Sequence, residues 1–490
     1  MEIQIKPRSR MSRFKEAVGG GILLAVLMLS VPLAGHVLWY WYERHAFMGK
    51  LDELHARGER LLPEDYWKGG ISEDDAASQI RLTYQRLDSD DSVHIDSVDF
   101  LPSEHPFPEK AWPFLEQATT YFARSLSRVD QATSQPTCRW GHGFYSPLIN
   151  MLLPELPQCR RVALLIVTSA EVEHHRHNDD EAIRRFGQIL YLSDACEGSP
   201  TRVSHLVAAG LTEMVVAHLE GVLPELTIGS RPRGAIPSEE LSKFIRKLCD
   251  ESQTLAGLKY SLETDRAQII DSYLNLTGTD TFSKYTAGPL TFHDARVALE
   301  QCRLMDSTLI NSNDRPSAIA ALKSIPVGQY WTNDELIGTN PDGLITTHFR
   351  VLADRRLLAT ATAIRSYQVD HGVRPATLAE LVPAYLPSIP IDPMSPDDSP
   401  IKYVAAGADP YLYSVGNDGI DNGGSEEAMP GEYGDLGDWQ RLDRTFHLTT
   451  KPHKAVYIPH PPSNGLMLGV GPGMEAKAPW DFDPTTQPPG

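Results

Sequence analysis

From Ala17 to Tyr42 the chain carries no charged side chain, and Gly21 to Val31 is almost wholly apolar. About 20 such residues, rising about 1.5 Å each, cross the roughly 30 Å hydrocarbon core of a bilayer. Lys6, Arg8, Arg10, Arg13 and Lys15 precede the stretch, and Trp39, Tyr40, Trp41 and Tyr42 close it. Basic flanks stay on the cytoplasmic side, and amphipathic rings favour the headgroup layer. Glu43, Arg44 and His45 are expected to return the chain to water. The expectation is therefore a protein of the cytoplasmic (inner) membrane that crosses it once. Its N-terminus is in the cytoplasm, its bulk is extracytoplasmic, and the N-terminal helix makes the membrane contact.

A cleavable signal peptide is the competing reading. Signal cores run 7–15 residues and end at small residues. The apolar run here continues past the small pair Ala34-Gly35, which favours an anchor.

Beyond the anchor the chain has enough length for a sizeable core: 490 residues in all, 41% of them hydrophobic. Its 64 acidic residues against 45 basic ones leave a net charge of −19. Phosphate backbones need basic patches, and none lies outside the first fifteen residues, so nucleic acid is not an expected partner. The five cysteines, Cys138, Cys159, Cys196, Cys249 and Cys302, form no C-x-x-C pair. That spacing excludes a zinc ribbon or thioredoxin-type motif. Buried thiols are the favoured reading, with one or two disulfides as the alternative in an exported chain.

Apolar spacing predicts a mainly helical region over 43–343. It opens with a short helix from His45 to Leu62, followed by a polar stretch holding Asp88, Asp90 and Asp91. One helix is expected from Ala111 to Val129. A hairpin of Leu156–His175 and Glu181–Cys196 follows, then Thr201–Leu223, and a broken helix from Ser238 to about Leu276. Residues 277–343 read as a connector with one helix around Asp294–Asp306. No second copy of the hairpin recurs in register, so a tetratricopeptide array is not expected.

The character changes at Leu344. A helix through Tyr367 ends at Asp370-His371-Gly372, and Thr377 to Glu380 reads as a capping box opening a short helix. Strands are expected at Ile401–Val404 and Tyr411–Val415, with Gly407-Ala408-Asp409-Pro410 as the turn. An acidic, glycine-rich loop follows, then a Pro- and Gly-rich tail over 451–490. The expected fold class is thus a single-pass anchor (17–42, after a basic tail over 1–16), a mainly α body, and a small α+β module over 344–450.

Within that module the order is Tyr367-x-x-Asp370-His371-Gly372, Leu378-x-x-Leu381, Ile389-Pro390-x-Asp392-Pro393 and Tyr411-Leu412-Tyr413-Ser414-Val415-Gly416-x-Asp418-Gly419. This order resembles the globular part of the major pseudopilins of type II secretion. The resemblance implies a calcium ion in the loop, with Asp418, Asp435 and Asp438 as acidic ligands and Ser414 offering a backbone carbonyl. It also implies envelope or secretion-apparatus proteins as partners. Independently, calcium takes six to eight oxygen ligands, which a flexible Asp/Asn/Gly loop can supply. The sequence departs from that family in two ways. The fifth residue after Gly20 or Gly21 is Ala25 or Val26 rather than glutamate, and about 300 residues separate anchor from module.

No sequence pattern indicates catalysis. Glu171, Glu173, His174, His175 and His177 cluster, and Glu171 and His175 share a helix face at i, i+4. H-E-x-x-H is absent, and histidines at a helix C-terminus suit the dipole. Gly469-Val470-Gly471-Pro472-Gly473 lacks the Lys-Ser/Thr of a phosphate loop. The expectation is a non-enzymatic envelope scaffold or interaction protein. The alternatives are an extracytoplasmic enzyme with its site in the helical region, at the Glu171–His177 cluster or in a groove, and a helical peptide-binding module.

Overall fold

The structure, a computed structural model, describes residues 10–66, 72–90, 92–99, 101, 105–141, 143–199, 201–229, 232–276, 288–325, 341–432, 434–449 and 456–458. Its first helix, α1, runs unbroken from Arg10 to Ala56. At about 1.5 Å per residue it is roughly 70 Å long, more than twice the hydrocarbon thickness. Its apolar stretch is bare: Ile22, Leu23, Leu24, Val26, Leu27, Met28 and Leu29 all face outward. Its second half is not. Tyr40, Phe47, Leu51 and Leu54 form one stripe and are buried against Phe292, Ala295, Ala298 and Leu299. Those four belong to the helix Gly288–Ile310, labelled α12 below.

This corrects the expectation that Glu43 meets water. Glu43 is 5% exposed. Its carboxylate lies 3.5 Å from His293 and 3.5 Å from Arg296, both on α12. The physical reason is that the aromatic cluster divides. Tyr40 turns inward against Gly288, where any Cβ would come within 2.8 Å of its ring, while Trp41 and Tyr42 stay exposed. Helix α1 therefore continues from an apolar rod, through Pro32, into a core element without leaving helical structure.

The body that follows is helical: α2 (Pro63–Tyr66), α3 (Asp75–Asp88), α4 (Val93–Asp99), α5 (Trp112–Tyr121), α6 (Ala123–Thr133), α7 (Glu155–His175), α8 (Asp179–Glu197), α9 (Arg202–Val222), α10 (Ser238–Cys249) and α11 (Ser252–Leu276). Then come α12 (Gly288–Ile310), α13 (Arg315–Ser324) and α14 (Pro341–His371). The single helix expected over Ala111–Val129 is two, because the backbone at Phe122 leaves helical geometry (φ −91°, ψ 16°). The polar stretch after Leu62 also holds helices. Asp74 caps α3 by accepting from the Ala77 N–H, and Ala76, Ala77, Ile80 and Leu87 face the core.

Helices α7, α8 and α9 pack in antiparallel succession through Val162, Leu165, Ile166, Phe186, Ile189, Leu190, Val215 and Leu219. Among the described residues, two helices, α1 and α9, are long and apolar enough to cross a membrane. They differ in exposure: the apolar window of α1 is wholly unburied, whereas α9 buries Ala208, Leu211, Val215, Val216 and Leu219 in the body. Helix α9 is therefore a core helix.

Helix α14 is bound into the same body. Its buried Arg355 donates to the carbonyls of Lys247, Leu248 and Asp250 at 2.7–3.1 Å. These are orphan carbonyls at the C-terminus of α10, where a cation also meets the favourable end of the dipole. The helix stops at Gly372, whose φ of +75° is the usual left-handed exit. The capping box at Thr377 is present, although the turn it opens, Leu378–Leu381, is a 3₁₀ helix.

The small sheet near the C-terminus is antiparallel, in the order β1 (Lys402–Val404), β2 (Tyr411–Ser414) and β4 (Arg444–His447). Its register pairs Tyr403 with Leu412 and Leu412 with Phe446. Leu412 and Phe446 bury onto the cluster that holds Leu357, Leu358 and Ile364 of α14 and the α7–α9 core. A second pair, β3 (Gly434–Leu436) with β5 (Val456–Ile458), is also antiparallel. The expectation covered β1 and β2 and omitted β4. The glycine-rich tail motif at Gly469–Gly473 lies outside the described residues.

Candidate functional site

Two places among the described residues hold the ionisable side chains that the sequence singles out. The first is buried in the body. Glu171, in the last turns of α7, points inward and is 1% exposed. Its Oε1 accepts from Nδ1 of His218 on α9 at 2.7 Å and lies 3.3 Å from Nε2 of His105 in the connector before α5. Burial alone pushes the Glu171 carboxyl up. Hydrogen bonding and charge from His105 and His218 outweigh it and bring it down to about 2. The carboxylate is therefore anionic inside the body, which burial permits only with partners.

Local geometry sets these rings. His105 stacks on Phe107 with centroids 4.6 Å apart and meets His218 edge-on at 5.6 Å. Gly221 lies one turn beyond His218, and a Cβ there would fall 2.3 Å from the His105 ring. The glycine is what lets the connector approach α9.

The neighbours singled out in the sequence diverge from this point. His175, the i, i+4 partner of Glu171, is exposed and stacks on Trp112 at 3.9 Å with the rings nearly parallel. Nδ1 of His174 lies 2.6 Å from Asp179, which also accepts from the Thr227 N–H. Burial works against the charged form of His174, but the Asp179 hydrogen bond prevails and its pKa is raised. His177 forms the turn to α8 with a left-handed backbone (φ 59°). Glu173 holds the Asn178 side chain. The structure therefore keeps Glu171 as a cluster member and replaces its expected partners by His105 and His218. Both come from distant parts of the chain, so no local spacing signals them.

The second place is the acidic loop. The Asp418 carboxylate accepts from the Ile420 N–H at 2.9 Å and from the Asn422 amide at 3.1 Å. Ser414 is fully buried in β2 opposite Arg444, and its hydroxyl donates to Asp392 at 2.8 Å. Asp438 lies 3.4 Å from Arg444 and 4.0 Å from Arg441. Asp435 pairs with Tyr457 along β3, and its side chain lies outside the described residues.

The Asn417 amide donates to the Trp439 carbonyl, so the segments carrying Asp418 and Asp438 are adjacent. Asp443, not singled out in the sequence, organises the loop by accepting from the Gly424, Ser425 and Asn422 N–H groups. Gly416 is required beneath it, since its φ is +70° and a Cβ would sit 2.1 Å from the Leu442 carbonyl oxygen.

Behind the loop is a buried charge network. Arg444 reaches Glu220 of α9 at 3.0 Å and Asp354 of α14 at 3.1 Å, while the Trp439 indole donates to Asp354 at 2.9 Å. Burial opposes the Arg444 charge, but Asp438, Glu220 and Asp354 outweigh it and hold the guanidinium well above its ordinary value.

All five cysteines are thiols. A hydrogen bond with Cys196, together with burial, pushes the Cys159 thiol well above its usual value, so it is unreactive in this form. A cleft of about 510 Å³ opens between α1 and α12, lined by residues such as Ala46, Lys50, Arg296 and Glu300. None of its lining residues belongs to either cluster. Comparison of the chain with protein-family models, curated proteins and solved structures finds no match.

Proposed function

We propose that this chain is a membrane-anchored envelope scaffold: a single-pass protein with a cytoplasmic N-terminus and a non-enzymatic extracytoplasmic body that binds other envelope proteins. The observation that carries the reading is the continuity of α1. Its exposed apolar half suits a bilayer, and its second half is packed into the body through Tyr40, Phe47, Leu51 and Leu54. A flexible tether would let the body tumble, whereas this joint holds it in a set orientation to the membrane. The shared apolar core of α7, α8 and α9 supports a structural role for the body.

Attachment to a type II secretion or pilus-like apparatus rests on the resemblance of residues 344–450 to pseudopilins. Calcium in the acidic loop is part of the same proposal. Asp418 and Asp438 lie on adjacent segments, and loading would order the loop next to β2 and β4.

Co-purification from detergent-solubilised membranes tests the scaffold role. Stoichiometric recovery of envelope proteins is expected, and a chain isolated alone under mild extraction contradicts the role. For the ion, Asp418→Ala in the full chain is expected to lower the melting temperature in calcium by a few degrees and leave it unchanged in chelator. Equal melting of the parent chain with and without calcium rejects the loop site.

A further inference from the structure

We propose that His105, Glu171 and His218 form a binding site for one divalent transition-metal ion of the zinc type, with a fourth position open to water. This site is separate from the acidic loop and does not depend on the scaffold reading.

Four observations carry it. First, the three ligand atoms converge. Among the described residues, this is the group of His, Cys, Asp or Glu side chains whose ligand atoms all lie within 4.8 Å of one another. A tetrahedral ion with bonds of 2.0–2.1 Å places neighbouring ligand atoms about 3.3 Å apart. The His105–Glu171 separation is already 3.3 Å, and the His218–Glu171 separation of 2.7 Å needs to open by roughly half an ångström.

Second, the hydrogen bonding is incomplete without an ion. His105 Nε2 is a buried ring nitrogen whose 3.3 Å approach to the carboxylate is poorly aligned for a hydrogen bond. A metal ion between the three groups would satisfy it. It would also turn two imidazoles from competitors for one oxygen into independent ligands.

Third, the rings are held in place before any ion arrives. Phe107 stacks on one face of His105, and Gly221 leaves room for its edge. Together these contacts fix the plane and position of the His105 ring. The three donors come from three elements, so an ion would fasten the connector at His105 to α7 and α9.

Fourth, the donor set is selective. Two imidazole nitrogens and one carboxylate suit zinc and its neighbours, while calcium and magnesium favour all-oxygen sets. His105 and His218 are 10% and 13% exposed, so one edge of the cluster reaches solvent. Three protein ligands with one water is the arrangement of an open zinc site.

The test uses the full chain in detergent, stripped with chelator and returned to buffer with excess calcium so that the acidic loop does not report. Zinc alone is titrated by calorimetry, and cobalt(II) by visible absorption. The expected result is one zinc per chain, a raised melting temperature, and the intense visible bands of four-coordinate cobalt. His105→Gln, Glu171→Gln and His218→Gln are each expected to weaken zinc by at least about 100-fold, the upper end of what losing an outer partner alone costs. Gly221→Ala keeps all three ligands but displaces the His105 ring, and is expected to weaken zinc as well. His175→Gln, one turn along α7 with its exposed ring stacked on Trp112, is expected to bind like the parent.

A parent chain with no stoichiometric zinc, or cobalt bands absent at saturation, overturns the site. Equal loss in His175→Gln does so too. Should a ligand variant fail to fold, as its metal-free circular dichroism would reveal, the stoichiometry and cobalt spectrum of the parent chain still decide.

Discussion

Replacing Leu24 and Leu27 with arginine is expected to release the chain from membranes. Both side chains lie on the bare half of α1 and touch nothing in the body. On insertion scales, leucine at a helix centre contributes about −0.3 to −0.6 kcal/mol, and arginine costs about 2.5–3.5 kcal/mol. Two replacements therefore disfavour insertion by about 6–8 kcal/mol, enough to reverse the partition. The measurement is the distribution of the chain between an alkali-washed membrane pellet and the supernatant. Circular dichroism of the released chain should match the parent, because the core around Phe47 and Phe292 is intact. Retention of the double variant in the pellet would mean that the apolar half of α1 is not the anchor.

The second large effect is expected at Arg444→Ala. Arg444 joins three parts of the protein: its own strand β4, Glu220 on α9 and Asp354 on α14. Both pairs are almost fully buried, with side-chain exposures of 3–4%. Removing the cation leaves the two buried carboxylates, Glu220 and Asp354, without their shared counter-ion. Breaking a buried pair in this way costs about 3–5 kcal/mol. Glu220 also accepts the His447 N–H, and Asp354 the Trp439 indole, so neither carboxylate can simply turn to solvent. Chemical denaturation of the full chain is the appropriate measurement. A loss below about 1 kcal/mol, the range of an exposed pair, would show that the network does not tie the sheet to the body.

The parts of this fold that were legible in the sequence are those where one local pattern dominates. The apolar run of α1 announces itself by composition, and α7, α8 and α9 by their helical spacing. The hairpin of β1 and β2 is marked by a Gly-Ala-Asp-Pro turn between short alternating runs. Helix α3 was hidden because its buried side includes two alanines and a threonine within a polar segment. The break at Phe122 was hidden because the apolar spacing continues across it. Strand β4 reads Arg-Thr-Phe-His, and its arginine and threonine are buried by partners that no local rule supplies.

The buried cluster shows the same limit more sharply. Glu171 stood out because histidines follow it on the helix, yet those histidines point elsewhere. The residues that reach its carboxylate arrive from a connector and from α9. Only tertiary packing, with Gly221 admitting the His105 ring, brings them together.

The same limit applies to the loop. Its acidity was plain, but the role of Asp443 as acceptor for three backbone N–H groups depends on how β4 passes beneath it. The dual fate of α1 was also illegible. An aromatic cluster next to a charged triplet reads as a membrane boundary, whereas Tyr40 and Glu43 are in fact core residues facing α12.

The topology of the anchored chain tests the central claim most directly. Two reporters fused after Gly490 would be compared in living cells, one that matures only outside the cytosol and one that works only within it. With α1 crossing the bilayer from a basic cytoplasmic end, activity is expected from the first reporter and none from the second. Activity from the second alone would place the body on the cytosolic side and contradict the account.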